Sequence, residues 1–277
     1  KKLSLLKKNF KDYQKKKSIV NKKKNKILIK NIKENYLNQN TKYIIIKKFE
    51  RNKSKIKKQL ILFASLFGKK CPQSKKGNIL LEIKPNKSKI SKISSKSQLK
   101  KLRYHQTNQG GSIHSDGPQL NKPPKYVFMA CISNAKSGGE SIINNTEKIY
   151  EHLRKYKPEY LKCLKKKFLF ERRGFNYPNK NIFRKPIFEI NKNKFKFRYL
   201  KEYIESAYKI KNLNMSSLQK ESINYLDKCL NNKKFQKRYK LSQGDIIILN
   251  NNSLAHGRSK FSISSKSPRS FLRLWIK

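Results

Sequence analysis

The sequence predicts a mainly β fold with flanking helices, and three observations carry this prediction. Residues 111–143 contain short apolar runs broken by Gly and Pro clusters, a texture typical of β-sheets. A Gly-Asp turn signal at 244–245 precedes the apolar run 246–249, and apolar residues alternate over 271–276. Between these segments, parts of 148–231 have the apolar spacing of amphipathic helices. We therefore expect two β regions separated by a helical insertion at about 148–231.

The N-terminal third is predicted to add a strand and a helix to this core. Residues 1–40 are dominated by Lys and Asn and are predicted to be peripheral. A β-branched run within 43–49 predicts a strand, and apolar residues at helical spacing over 56–67 predict a helix. The Ser- and Lys-rich stretch 84–100 predicts a loop. A chain of 277 residues with such a core commonly forms one domain, so we expect a single domain over 1–277.

The chain is strongly basic, with 70 Lys and Arg against 16 Asp and Glu and a formal net charge of +54. Taken alone, this charge indicates a polyanionic partner, and a basic nucleic-acid-binding protein is the rival hypothesis. The lysines are, however, scattered among many Asn and Ile along the whole length, and no nucleic-acid-binding motif is recognisable. Because these three residue types share A/T-rich codons, we favour a general compositional bias over a specific nucleic-acid partner.

Cysteine usage and hydropathy bear on the cellular compartment. The four cysteines lie far apart without a CxxC pair, which favours reduced thiols. No apolar run approaches the roughly 20 residues of a membrane span, and the Lys-rich start lacks a signal-peptide pattern. We expect a cytoplasmic protein without a membrane partner, and no pattern indicates an oligomeric state.

Two histidines and one aspartate form the first chemically informative set. On a strand, His114 and Asp116 would project from one face, because side chains at i and i+2 point the same way. His256 follows the strand predicted at 246–249 and could supply a second imidazole from a neighbouring strand. Two imidazoles and one carboxylate leave coordination positions open, which suits the oxygen chemistry of Fe(II). We predict that these three residues are the metal ligands and the catalytic centre.

The C-terminal segment is unusual in its use of arginine. In a chain that otherwise prefers Lys, Arg258, Arg269 and Arg273 all fall within the last 20 residues. A guanidinium binds a carboxylate through two parallel hydrogen bonds, which an ammonium cannot reproduce. These arginines therefore predict recognition of a carboxylate. The Asn run 250–252 is predicted to turn the chain before the distal histidine.

Five short motifs occur in order over about residues 103–277, and together they resemble the TauD/TfdA family, which includes relatives of clavaminate synthase. The motifs are His114-Ser115-Asp116, Ser137-Gly138-Gly139-Glu140-Ser141, Gly244-Asp245-Ile246-Ile247, His256-Gly257-Arg258 and Arg269-Ser270-Phe271-Leu272-Arg273.

The resemblance implies a fold and a role for each motif. The fold would be a double-stranded β-helix, a cupin-like jelly-roll that encloses the site. The three predicted ligands would bind Fe(II), and Arg269 would pair with the distal carboxylate of 2-oxoglutarate. Ser141 stands where the family usually has Thr and would hydrogen-bond the same cosubstrate. Arg273 would meet an anionic group of the substrate.

The activity implied by the resemblance is that of an oxidoreductase, a dioxygenase that requires Fe(II), 2-oxoglutarate and O2. It would hydroxylate a small molecule such as an amino acid or organic acid and release succinate and CO2. A nucleic-acid-modifying 2-oxoglutarate oxygenase would also account for the positive charge. The separation of 140 positions from Asp116 to His256 disfavours that alternative, because it is longer than we expect in such enzymes.

Overall fold

The computed structural model describes residues 22–50, 52–74, 76–85, 107–173, 181–192, 194–263 and 268–277. Residues 1–21 of the predicted peripheral segment and 86–100 of the predicted loop lie outside this part. The described helices are α1 (Lys22–Ile32), α2 (Lys53–Ser65), α3 (Thr146–Tyr156), α4 (Pro158–Leu164), α5 (Lys201–Ile210) and α6 (Ser217–Asn231), with a π-helical turn at Lys33–Leu37 and a 3-10 turn at Lys233–Phe235. The described strands are β1 (Tyr43–Ile46), β2 (Lys70–Cys71), β3 (Leu80–Ile83), β4 (Gly111–His114), β5 (Tyr126–Ser133), β6 (Ser141–Asn145), β7 (Lys167–Glu171), β8 (Ile182–Pro186), β9 (Phe188–Asn191), β10 (Lys194–Phe197), β11 (Gln236–Tyr239), β12 (Ile246–Asn250), β13 (Leu254–Arg258) and β14 (Ser270–Ile276).

The larger sheet has six strands in the order β1-β12-β5-β14-β2, with β3 also paired to β14, and all its pairs are antiparallel. Successive side chains point to opposite faces of a strand. On β5, Tyr126 and Phe128 therefore face the helices α1 and α2, while Val127 and Cys131 face inward. The strands are apolar on both faces because both faces are covered.

Helices α1 and α2 cover the outer face of the larger sheet. Leu28, Ile32 and Leu37 are buried in the same apolar cluster as Phe63 of α2. The prediction that residues 1–40 are peripheral is therefore wrong for 22–37. The frequent lysines hid an apolar stripe that docks on the sheet, since Lys26 and Lys30, between the stripe positions, are exposed to solvent.

The smaller sheet has four strands in the order β11-β6-β13-β4 and packs against the inner face of the larger one. Ile143 and Leu254 from the smaller sheet share a buried cluster with Val127, Ile247 and Phe271 from the larger sheet. Two facing antiparallel sheets of this kind form the double-stranded β-helix, and the predicted jelly-roll is confirmed. Its interior wall carries the candidate site.

The predicted helical insertion covers the outer face of the smaller sheet. Helices α3 to α6 lie in this stretch, and α6 begins with a capping box in which Ser216 and Gln219 bond each other's backbone N–H groups. The stretch also contains two antiparallel hairpins, β7-β8 and β9-β10, which the prediction of a helical insertion missed. Their strands have only four or five residues, so period-two alternation is too brief to stand out among the helical spacing.

All four cysteines are free and buried. Burial raises the pKa of the Cys131 thiol to about 12, so this group stays protonated at neutral pH.

Across the residues that the structure describes, none of the helices combines the length and apolar character that crossing a membrane would require.

Candidate active site

The two predicted histidine ligands face each other across neighbouring strands of the smaller sheet. His114 is the last residue of β4, and the antiparallel register places it directly opposite His256 on β13. Their ring centroids are 4.8 Å apart. With Asp116 they form a group whose candidate donor atoms all lie within 4.8 Å of one another, and all three residues are buried. The strand pairing thus brings together residues that are far apart in sequence.

Asp116 is held differently from the way the sequence suggested. Strand β4 ends at His114, so Asp116 lies in the bend that follows and strand alternation does not orient it. Instead, the buried Asn251 side chain accepts a hydrogen bond from the Asp116 N–H at 2.8 Å and donates to the Asp116 carbonyl at 2.9 Å. The same amide also donates to the carbonyl of Pro124 at 2.9 Å. Asn251 therefore fixes the backbone that carries the carboxylate.

The carboxylate of Asp116 is buried and charged. Burial, the largest effect, would raise its pKa, but the Arg273 guanidinium, with Nη1 2.6 Å from Oδ1, acts together with His256 and His114 to hold the pKa of Asp116 well below its usual range. The indole Nε1–H of Trp275 donates to the other oxygen, Oδ2, at 3.0 Å. A carboxylate that stays ionised in an enclosed site is an anionic ligand for a cation.

Both imidazoles place a ring nitrogen next to this carboxylate. Burial, the largest effect, lowers the pKa of His256 to about 3, so its ring is neutral near pH 7 and its 3.6 Å contact with Asp116 is not an ion pair. The Nδ1 of His114 lies 2.7 Å from the carbonyl of Ser112, which accepts a hydrogen bond when Nδ1 carries the proton. In that tautomer Nε2, 3.7 Å from Asp116, is the ring nitrogen whose lone pair can bind a metal.

The candidate ligands line a cavity of about 1080 Å³ between the two sheets. Ser141, Arg269 and Arg273 also line it, so the structure brings together all six residues that the sequence predicted. The hydroxyl of Ser141 is buried and has no hydrogen-bond partner in the described part of the chain. Because an unpaired buried hydroxyl is costly, this atom is suited to a bound polar ligand.

Arg269 lies one residue before β14 and is buried, with 4% of its surface exposed. Its guanidinium packs 4.0 Å from the Phe271 ring centroid, and its Nε donates to the Gly139 carbonyl at 3.4 Å. A Cβ on Gly139 would come within 3.2 Å of the arginine side chain, and Gly139 has a φ of +72°. The Gly-Gly step is thus needed for a left-handed turn beside this guanidinium.

The other two arginines of the C-terminal segment have different partners. Arg273 binds Asp116 and donates through Nε to Gln73 at 2.8 Å, so its side chain supports the carboxylate directly. Its assignment to substrate binding stays a prediction. Arg258 is buried and donates to the backbone carbonyls of Thr107 and Gln109. It ties the segment before β4 to β13.

Sequence reasoning missed two residues that contact Asp116. The Asn run was expected only to turn the chain, and it does so between β12 and β13, but the heavy Asn bias concealed the part played by Asn251. The sequence did contain an indication that Trp275 belongs to the site. It is the single Trp of the chain and lies two residues after Arg273, on the same strand face.

The donor chemistry of the site fits a divalent transition metal. Two imidazoles and one carboxylate on one side of a cavity leave room for further ligands, which a closed structural site would not. A jelly-roll that carries this set, with a buried arginine and an unpaired hydroxyl nearby, is typical of the class of non-haem iron(II) oxygenases.

The comparison with protein families agrees with this class. The family described as "Taurine catabolism dioxygenase TauD, TfdA family" matches residues 39–275, and the chain belongs to this family. FR-33289 synthase of Streptomyces rubellomurinus (strain ATCC 31215) is 26% identical over 183 residues, which are 64% of this chain and 52% of that protein. The chain thus spans about half the length of this relative.

Solved structures of oxygenases share the fold. Asparagine oxygenase in complex with Fe(II), 2S,3S-3-hydroxyasparagine and succinate superposes with a TM-score of 0.62 at 12% identity, covering 79% of this chain and 63% of that one. The non-heme iron oxygenase OrfP with Fe and alpha-ketoglutaric acid gives 0.66 at 13% identity, covering 91% and 80%. OrfP with Fe, succinate and (3S)-hydroxy-L-Arg gives 0.67 at 11% identity, covering 90% and 80%.

Proposed function

We propose that this chain is an Fe(II)- and 2-oxoglutarate-dependent dioxygenase that hydroxylates a small molecule and releases succinate and CO2. The observation that carries the proposal is the buried group of His114, Asp116 and His256 on the wall of the cavity. Membership in the TauD/TfdA family supports the same reaction class. When iron, 2-oxoglutarate and O2 are bound together, they supply the oxidising chemistry.

The chain's own contribution begins with holding the metal. His114 and His256 would each offer one ring nitrogen, and Asp116 would offer a carboxylate oxygen. The hydrogen bond from His114 Nδ1 to the Ser112 carbonyl would make Nε2 the nitrogen that binds the metal. The two facing sheets would exclude bulk water from the reacting groups, which limits side reactions.

Arg269 and Ser141 would hold the cosubstrate. The buried guanidinium of Arg269 has the planar donor geometry that pairs with a carboxylate, and 2-oxoglutarate carries one at each end. The unpaired hydroxyl of Ser141 would gain its missing partner from the same molecule. Both side chains line the same cavity as the candidate metal ligands, which supports the binding of one 2-oxoglutarate molecule by both residues.

We propose an amino acid or small organic acid as the prime substrate. Two structural neighbours were solved with hydroxylated amino acids, 3-hydroxyasparagine and (3S)-hydroxy-L-Arg, which supports this class. A cavity of about 1080 Å³ has room for 2-oxoglutarate and a second molecule of this size. The family resemblance assigns Arg273, which lines the cavity, to an anionic group of this substrate.

We further propose a single domain over 1–277 and a cytoplasmic location without a specific nucleic-acid partner. The larger sheet takes strands from both ends of the chain, β1 and β14, which supports the single domain. Four free, buried cysteines support a reducing compartment.

The test combines metal binding and turnover on the purified chain. We expect one Fe(II) bound per chain under anaerobic conditions, followed by slow conversion of 2-oxoglutarate to succinate once O2 is admitted, even without a prime substrate. Incubation with a panel of amino acids and organic acids, followed by mass spectrometry, should then reveal a product 16 mass units heavier, since hydroxylation adds one oxygen.

A matched pair of histidine variants distinguishes the loss of the metal site from a general effect of replacing a histidine. His256→Ala should lose both iron binding and succinate formation, whereas His152→Ala should keep them, because His152 lies on α3 and contacts Tyr225 outside the cavity. If the wild-type chain forms no succinate with iron and O2 present, or if His256→Ala turns over normally, the proposed function is wrong.

A further inference from the structure

The only tryptophan of the chain lies at the candidate metal centre. Trp275 is on β14, two residues after Arg273, and both side chains line the cavity. Its surface is 2% exposed. Packing alone would be served by any large apolar residue at this position, so the polar edge of the indole ring needs a separate explanation.

The indole N–H is used by one acceptor, the carboxylate of Asp116. Nε1 donates to Oδ2 at 3.0 Å, while the guanidinium of Arg273 contacts Oδ1 at 2.6 Å. Each carboxylate oxygen therefore has its own donor. The guanidinium also packs 4.9 Å from the indole ring centroid, so the two donor side chains support each other.

These two donors restrict rotation about the Cβ–Cγ bond of Asp116, which a fixed backbone does not restrict. Asn251 fixes the backbone of Asp116, but rotation about the Cβ–Cγ bond of an aspartate is broad and nearly two-fold. A donor on each oxygen selects one orientation of the carboxylate plane. The indole donor is neutral, so it adds orientation without adding charge, whereas Arg273 adds both.

We propose that Trp275 is a positioning residue that sets the orientation of the Asp116 carboxylate for metal binding. The inference rests on the proposed function, because it assumes that Asp116 is a ligand. Hydrogen bonds to ligating side chains commonly change metal affinity by about 10- to 100-fold. Trp275→Phe, which keeps an aromatic ring and removes the N–H, should therefore weaken metal binding about tenfold or more.

The first experiment compares this variant with a control on the same sheet. Tyr126→Phe removes a buried hydroxyl without a hydrogen-bond partner in the described chain, on the opposite face of the larger sheet. Anaerobic calorimetric titration with Mn(II) should show weaker binding for Trp275→Phe and unchanged binding for Tyr126→Phe. Thermal unfolding without metal should remain cooperative in both variants. Equal affinities of Trp275→Phe and wild type would overturn the inference.

The second experiment needs no variant, because a single Trp gives a single indole N–H signal. In protein labelled with 15N-tryptophan, that signal should exchange slowly with solvent, since its donor is buried and bonded. Mn(II), which is paramagnetic, should broaden the signal beyond detection, while diamagnetic Zn(II) should only shift it. An indole signal that Mn(II) leaves sharp would place Trp275 away from the metal and refute the inference.

The two proposals can fail separately. A wild-type chain that binds Mn(II) and forms succinate, with a Trp275→Phe variant of equal affinity, would refute the role of Trp275 and leave the proposed function standing. A wild-type chain that binds no metal would refute both.

Discussion

Replacing Arg269 tests the buried charge in the proposed cosubstrate site. The guanidinium is enclosed by aromatic rings, at 4.0 Å from the centroid of Phe271 and 5.5 Å from that of Phe261, and only 4% of the residue is exposed. A carboxylate that pairs with it would be shielded from water by the same rings. The contact would therefore be a buried charge-assisted pair rather than a screened surface one.

The expected loss follows from this burial. Removing one partner of a buried, hydrogen-bonded charge pair costs roughly 2 to 5 kcal/mol. The lower figure corresponds to about a thirtyfold rise in the Kd of 2-oxoglutarate, since 1.4 kcal/mol is about tenfold. Arg269→Ala should show at least this effect. Arg269→Lys should fall between Ala and wild type, because an ammonium keeps the charge and loses the two parallel hydrogen bonds.

The assay is anaerobic calorimetry of 2-oxoglutarate binding to the Mn(II)-loaded protein, with a separate Mn(II) titration of each variant. Arg238→Ala is the control, because it removes the same charge from β11, which pairs with the strand that carries Ser141, and Arg238 does not line the cavity. We expect metal affinity to be unchanged in all three variants. A Kd for 2-oxoglutarate within threefold of wild type in Arg269→Ala would refute the assignment.

Three further predictions concern the hydroxyl, the backbone support of the carboxylate and the net charge. Ser141→Ala should raise the Kd of 2-oxoglutarate about tenfold or more in the same calorimetry, because a hydrogen bond to a charged group is worth roughly 1.5–3 kcal/mol. Asn251→Ala should weaken Mn(II) binding and lower the midpoint temperature of thermal unfolding, since each buried backbone group left unpaired costs roughly 1–3 kcal/mol. Asn252→Ala is the control, because it keeps the three hydrogen bonds that the Asn251 side chain makes. Fluorescence anisotropy should show loose binding to duplex DNA that is lost as salt rises, and a salt-resistant complex with one sequence would instead support a nucleic-acid-binding function.

The comparison of sequence and structure is most informative at the candidate ligands. His114, Asp116 and His256 could be selected from the sequence because two of the chain's four histidines lie in an HxD motif and after a predicted strand. Arg269 and Arg273 could be selected because arginine stands out where lysine is the rule. The alternation over 271–276 and the apolar run 246–249 indicated strands because strand periodicity is local.

Contacts between segments that are distant in the chain could not be predicted from the sequence in the same way. The prediction placed Asp116 on a strand, but β4 ends at His114, and Asn251 holds the aspartate from the turn that precedes β13. An Asn in an Asn-rich chain carries no signal for such a contact. The apolar stripe of α1 was likewise hidden, because its burial depends on docking against a sheet built from distant segments.

The sequence by itself determined the fold class, the family resemblance and the identity of the candidate ligands, because these depend on residue type and local spacing. Only the tertiary structure decided which donors surround the carboxylate of Asp116. Arg273 and Trp275 reach it from the larger sheet, while His114 and His256 reach it from the smaller one. That meeting is set by the packing of the two sheets against each other, a relation that no stretch of sequence encodes locally.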